Sequence, residues 1–339
     1  MFVTLDEGPA TGTCETDDTP GVFADTVSAA TAAPRGRAGA RSLMRRLRRI
    51  PLAPYLYVLP AVALLVAWTY RPLVQTFQLS FFDWNLVPTQ PMTFVGGHNY
   101  QRVVTDPDLR QAVINTIIYI VAFMLFSLVL PVIIALAARR VQGRARTVYQ
   151  ALIFLPFLVT PVAASAVWQW LLAPDSGAIT VALNAIGIHI GDVLRDPNTA
   201  LLAIVVIVGW QMLGFGVLVV SAGIAGINPD YASAASMDGA SRLRITRRIT
   251  LPLLSPTLVF LLLMTILLAA QWTFPMIDVL TQGGPGNSTT NIYYMLYQIG
   301  FRNFDAGLAG AAGVLFFLVF GLIAIGLVKL ADRLSFYDN

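Results

Sequence analysis

The chain has 339 residues, of which 56% are hydrophobic and only 12% charged, with a formal net charge of +4 and a mean hydropathy of +0.69. A soluble domain carries about twice that charge fraction, so the composition points to an integral membrane protein. Cys14 is the single cysteine, which excludes an internal disulfide framework and any CxxC metal site.

Two further absences narrow the chemistry. Lys329 is the only lysine and follows Val328, so the chain has no GxxxxGK[ST] phosphate loop and cannot bind ATP in that manner. No glutamate follows Glu15, which excludes HExxH and other Glu-dependent hydrolase sites. His98 and His189 are too few and too far apart for a His-based zinc site, and both are expected in exposed loops.

Residues 1–50 read as a cytoplasmic tail in two halves. Met1 to Ala33 is rich in Thr, Ala and acids without periodicity, the pattern of a disordered segment. The stretch 35–49 holds seven arginines and no acid. Its charge order and lack of an apolar core do not fit a signal peptide. A basic run before a span holds that end on the anionic inner leaflet. A nucleic-acid patch is the rival, but no aromatic residue is interleaved with the arginines.

Residues 51–339 read as an all-α membrane domain of six spans, near 54–77, 112–138, 149–172, 200–227, 253–277 and 306–328. Each is long enough to cross about 30 Å of hydrocarbon. With the N-terminus inside, 17 of the 22 Arg and Lys fall on inner segments and five (Arg71, Arg102, Arg110, Arg195, Arg302) on outer ones. That asymmetry places both termini in the cytoplasm.

The polar run 228–256, between the fourth and fifth spans, organises the rest. Asn228 is placed to N-cap a short Ala-rich helix with Pro229 at its first position. Gly239 is placed to close that helix in a left-handed conformation. A second helix, 241–250, then carries Arg242, Arg244, Arg247 and Arg248 before Pro252 and Pro256. A basic hairpin resting on lipid headgroups is the plain alternative.

Ala234-Ala235, Asp238-Gly239-Ala240 and Thr250-Leu251-Pro252 resemble, in order and spacing, the cytoplasmic EAA loop of bacterial ABC importer permeases of the carbohydrate-uptake type, such as the maltose and glycerol-3-phosphate systems. Ser233 departs from that pattern, where the family has Glu. The outer stretches SFFDWNLV (80–87), FVGGHNY (94–100) and LTQGGPGNSTTNIYYMLYQIGF (280–301) resemble the first and last outer loops of the larger permease partner, with a tight turn at Gly283-Gly284-Pro285.

The resemblance implies the six-helix type I importer fold in the bacterial inner membrane, with Ser233, Ala234, Ala235, Asp238, Gly239, Ala240, Arg242, Leu251 and Pro252 coupling to an ATPase. It implies as partners a second homologous permease, two ATP-binding subunits and an extracellular solute-binding protein. ATP and Mg belong to the ATPase subunits, no cofactor to this chain.

No residue looks catalytic; the function to explain is passage of a solute. Polar and aromatic residues inside the spans are the candidates: Asn115, Trp168, Gln169, Trp210, Gln211, Gln271, Trp272 and Thr273, with Asp278 at the rim. Indole rings suit the C–H face of a sugar and amides its hydroxyls. Interhelical hydrogen bonding and interfacial anchoring are the plain alternatives for each. TFPMID (273–278) resembles the glycerol-3-phosphate branch, although no cation sits mid-span to meet a phosphate. The expected solutes are glycerol-3-phosphate or glycerophosphodiesters and oligosaccharides, carried by alternating access. The rivals are a passive channel or facilitator for small polyols without an ATPase partner, and a non-transporting scaffold.

Overall fold

A computed structural model describes residues 52–139, 141, 143–189 and 191–334; the tail 1–50 and its arginines lie outside the described residues. The chain divides into two units, 1–63 and 64–339. The described part of the first is helical, within α1 (Leu52–Leu65).

The second unit holds the remaining helices. They are α2 (Arg71–Leu79), α3 (His98–Thr105), α4 (Pro107–Met124), α5 (Leu130–Ala138), α6 (Arg144–Leu158), α7 (Pro161–Leu171), α8 (Ala178–Ala185) and α9 (Ala200–Ala225). After them come α10 (Pro229–Met237), α11 (Arg242–Ile245), α12 (Leu251–Leu253), α13 (Ser255–Met276), α14 (Ile292–Tyr297) and α15 (Ala306–Leu334). The described strands, β1 (Phe82–Asp83) and β2 (Thr93–Phe94), pair antiparallel with Phe82 opposite Phe94.

Among the described residues, five helical stretches are long and apolar enough to span: 54–79, 107–138, 200–225, 255–281 and 306–329. The expected third span differs, because α6 and α7 meet at a 93° bend. Pro161 is the cause. A proline disfavours helical geometry in the residue before it, and Thr160 accordingly sits at ψ 143° and Val159 at ψ 129°. Pro161 then starts α7 with Thr160 as its N-cap, whose hydroxyl accepts from the Ala163 N–H at 3.4 Å. The apolar run is continuous through this point, and hydropathy alone reads across it.

Prolines also shape other helices. The wide π-helical turns at Val66–Tyr70, Leu125–Val129 and Thr246–Thr250 each end two residues before a proline: Pro72, Pro131 and Pro252. A proline has no N–H for the carbonyl four residues back and its ring crowds that carbonyl, so a widened turn relieves the clash. Around Pro131, α9 comes close. A Cβ on Gly216 would meet the Pro131 ring and the Ser127 carbonyl, and one on Gly214 would collide with the Ile153 carbonyl of α6.

Central α9 accordingly packs on α5, α6 and α13, while α13 also lies along α4, and α15 lies along α2 and α3. Three apolar clusters stack along this bundle. One joins Val103, Leu109, Ile292, Ile299 and Leu308 at the outer-loop end. Another joins Tyr119, Phe123, Ile204, Val208 and Met276 in the middle. The last joins Ala135, Val220, Leu254 and Leu261 at the end bearing the 228–256 hairpin.

Candidate coupling hairpin and solute path

The hairpin forms as its local chemistry dictates. The Asn228 side chain accepts from the Asp230 N–H at 2.9 Å, capping α10 with Pro229 at its first position. At the other end the Gly239 N–H donates to the Ser236 carbonyl (3.1 Å) and the Ala240 N–H to the Ala235 carbonyl (3.0 Å). Those two bonds, with Gly239 at φ +79°, make the left-handed closure that glycine favours. Ser241 then caps α11, which runs only to Ile245 before the wide turn 246–250, so the expected second helix of 241–250 is two pieces.

None of the α10 residues is buried. Met237 is 87% exposed and Leu243 77%; Ser233, Ala234, Asp238 and Arg242 are also exposed, Ala235 and Ala240 half-buried. The Ser233 hydroxyl donates to the Pro229 carbonyl of its own helix at 3.1 Å. Leu251 and Pro252 are half-buried, and the next residues anchor the hairpin: Thr250 and Leu254 are buried, and Leu254 packs on Val220 and Ala135. The hairpin is exposed and its root is buried.

The candidate path residues separate into two groups. Asn115 is buried, and its amide donates to the carbonyls of Asn287 and Thr290, both at 2.9 Å. Its own carbonyl accepts from Gln111 at 3.0 Å. Thr273 is buried as well; its hydroxyl donates to the Ala269 carbonyl (2.8 Å) and accepts from the Asn291 amide (2.6 Å). Gln211, also buried, donates to the carbonyls of Val159 (3.2 Å) and Pro156 (3.4 Å) at the α6–α7 bend. These three were expected on a path. In the structure all three are buried and bonded within the chain, Asn115 and Gln211 to backbone carbonyls and Thr273 to its own helix and the Asn291 amide.

The other candidates are exposed or half-buried. Gln271 is exposed on α13. Trp272 stacks on Phe157 with ring centres 5.2 Å apart, beside a cavity of about 60 Å³ that Ser127, Met212 and Thr265 also line. Trp210, 42% exposed, meets Trp168 edge-on at 5.9 Å. Gln169, on α7, reaches the Val279 carbonyl at 3.4 Å. A larger groove of about 390 Å³, among Leu267, Tyr293, Phe316, Phe317 and Phe320, is apolar and lacks the donors and acceptors that a hydroxylated solute needs.

Arg302 lies beside Asp278, the residue expected at the rim. Its guanidinium lies 3.4 Å from Asp278 and 5.7 and 5.6 Å from the ring centres of Tyr294 and Tyr297. Phe274 touches both of those rings. Burial pushes the Tyr294 hydroxyl above its ordinary range, with Arg302 opposing and Asp278 reinforcing the shift. Asp278 and Arg302 are 24 residues apart, so no local pattern links them.

Side-chain and backbone bonds tie the loops together at this end of the bundle. Asn99, buried, donates to the carbonyls of Ser80 (3.1 Å) and Phe82 (2.9 Å). Arg102 pairs with Asp305 at 2.8 Å, and the Ala306 N–H donates to the Trp84 carbonyl at 3.0 Å. The last outer loop turns at Gly284-Pro285, where the Gly284 N–H reaches the Thr281 carbonyl at 2.9 Å. Of the two histidines, His98 opens α3 and His189 lies in a loop; both are exposed. Among the described residues, no group of three or more His, Cys, Asp or Glu is placed to hold a metal ion.

Comparison with known proteins gives consistent matches. Residues 127–335 match the family described as binding-protein-dependent transport system inner membrane component. The chain is 31% identical over 268 residues to the sn-glycerol-3-phosphate transport system permease protein UgpA of Agrobacterium fabrum, covering 79% of this chain and 90% of that one. It is 33% identical over 275 residues to a probable ABC transporter permease protein of Pyrococcus horikoshii, covering 78% and 91%. A chain from the crystal structure of a bacterial ABC transporter importing the acidic polysaccharide alginate aligns with TM-score 0.76 and 24% identity, over 87% of this chain and 100% of that one. The passive-facilitator alternative finds no support among these relatives. The chain belongs to the family of binding-protein-dependent inner-membrane transport components.

Proposed function

We propose that this permease imports a carbohydrate-class solute, glycerol-3-phosphate or a glycerophosphodiester first and an oligosaccharide second, by ATP-driven alternating access. The observation that carries the reading is the exposed hairpin 228–256 with its Gly239 closure and its root at Leu254. A helix with an exposed face fits a groove on another protein. A root packed on α5 and α9 turns movement of the hairpin into rigid-body movement of the bundle, which is how a partner's closure reaches a distant cavity. The partners in this reading are a second homologous permease, two ATP-binding subunits holding ATP and Mg, and an extracellular solute-binding protein. The termini and the hairpin face the cytoplasm.

On the solute side, Gln271 and Trp272 line the path with Trp168 and Trp210, and Asp278 with Arg302 forms its outer rim. Arg302 supplies the cation that a phosphate-bearing solute calls for. Uptake by the complex reconstituted with its own partner subunits tests the reading. Labelled glycerol-3-phosphate should accumulate only with ATP and binding protein, and Arg302→Gln should reduce its uptake more than that of a neutral sugar. Nucleotide-independent flux would sink the importer assignment, and equal loss for both solutes would remove Arg302 from recognition.

A further inference from the structure

Where α5 stops and α6 begins, beside the last turn of α9, the chain leaves an open pocket of about 190 Å³. Arg139, Arg146, Tyr149 and Ser221 line it with polar groups, and Ala135 and Ile224 are among its apolar neighbours. Among the described residues no carboxylate lines it and neither guanidinium has an ion pair. Two cations facing one cavity repel each other, and partial burial strengthens that repulsion. Both arginines are exposed, and partial burial lowers the pKa of Arg139. An arginine stays charged regardless, so the pocket calls for an anion.

The position of the pocket identifies the anion. It sits at the ends of three membrane-crossing elements, the level of phospholipid headgroups. Along α6, Val148, Leu152 and Leu155 are 56%, 65% and 57% exposed, and their i, i+4, i+7 spacing forms one apolar stripe. On α5, Ile133 is exposed in the same way. We propose that the pocket binds the phosphodiester of an anionic phospholipid, with its acyl chains along the Val148–Leu152–Leu155 stripe. Basic pockets between helices at the inner surface suit such headgroups, and two guanidiniums, a phenol and a hydroxyl match the oxygens of a phosphodiester. An acidic side chain of a partner protein shares the charge but would leave the apolar stripe without a role. The inference rests on helix ends and charge, independent of which solute is carried.

Native mass spectrometry of the full chain assembled with its partner permease tests it. The sample is taken from micelles doped with equal phosphatidylglycerol and phosphatidylcholine. Phosphatidylglycerol should be retained preferentially, and Arg139→Gln/Arg146→Gln should weaken its retention by about thirtyfold, at about fivefold per arginine. Arg139→Lys/Arg146→Lys should keep most of the retention, which guards against simple misfolding. Arg195→Gln, altering an exposed arginine on another loop, should change nothing. Equal retention of the two lipids, or undiminished retention in the Gln double variant, overturns the proposal. Inorganic phosphate that binds as tightly as the lipid would reassign the pocket to a free anion. A Gln double variant that keeps its lipid but sheds the ATPase subunits would reassign it to a protein.

Discussion

The side-chain amide of Gln211 donates to the carbonyl of Val159 across 3.2 Å, bridging α9 to the break between α6 and α7. The break exists because Pro161 forces Thr160 out of helical geometry, and it strands carbonyls that lipid cannot satisfy. Gln211→Leu should therefore lower the melting temperature of the detergent-solubilised chain. The expected cost is about 1 kcal/mol, since interhelical hydrogen bonds in membranes are individually modest. Solute selectivity should be unchanged; altered selectivity at full stability would return Gln211 to the solute path.

Asn115 and Tyr119 hold the last outer loop from α4, Asn115 through two carbonyls and Tyr119 through its hydroxyl to the Thr289 carbonyl at 3.0 Å. Asn115→Ala combined with Tyr119→Phe should free residues 283–290 while leaving the hairpin end intact. Limited proteolysis should cut the variant within that loop several times faster than the parent. Identical cleavage rates would show that the loop is held by its own turns.

Gly239 sits at φ +79° and, its chain neighbours aside, no atom lies within 4 Å of where a Cβ would be. Space is therefore no obstacle and only backbone conformation is. Asn tolerates the left-handed region, whereas a β-branched residue there costs about 1–3 kcal/mol. Gly239→Asn should retain solute-stimulated ATPase activity in the reconstituted complex and Gly239→Val should lose most of it. Full stimulation in both would mean that the shape of this hairpin does not carry the signal.

Trp272 stacks on Phe157 and Gln271 is exposed one position away. Trp272→Ala and Gln271→Ala should each cut uptake about tenfold or more, the scale of losing a stacking or hydrogen-bonding contact. Assembly with the partner permease, read by co-purification, should be intact. Normal uptake in both variants would make these residues packing elements.

Reporter tags check orientation. Fusions after Arg144 and Ser241 should be cytoplasmic and one at Gln282 external. An external report at Ser241 would remove the hairpin from any ATPase.

The caps and the closure of the first hairpin helix were legible in the sequence because what builds them is local, whereas the break after Ile245 and the packing of Leu254 on Ala135 and Val220 were not. Asn228 caps two residues ahead, and Gly239 closes over the five residues before it, so composition and order suffice. The spans were legible for the same reason, since each needs only its own run of apolar residues. The bend at Pro161 was also local, but a hydropathy window weighs apolarity and is blind to the constraint that a proline puts on the preceding residue. The roles of the buried polar residues were not legible. A lone Asn, Gln or Thr in a span announces only that it needs a partner, and sequence does not say whether that partner is solute or backbone. Asn115 finds the Asn287 carbonyl 172 residues away and Gln211 finds Val159 52 residues away. Only the packed bundle brings those groups within bonding distance, and that proximity gives these amides partners inside the chain while Gln271 stays exposed.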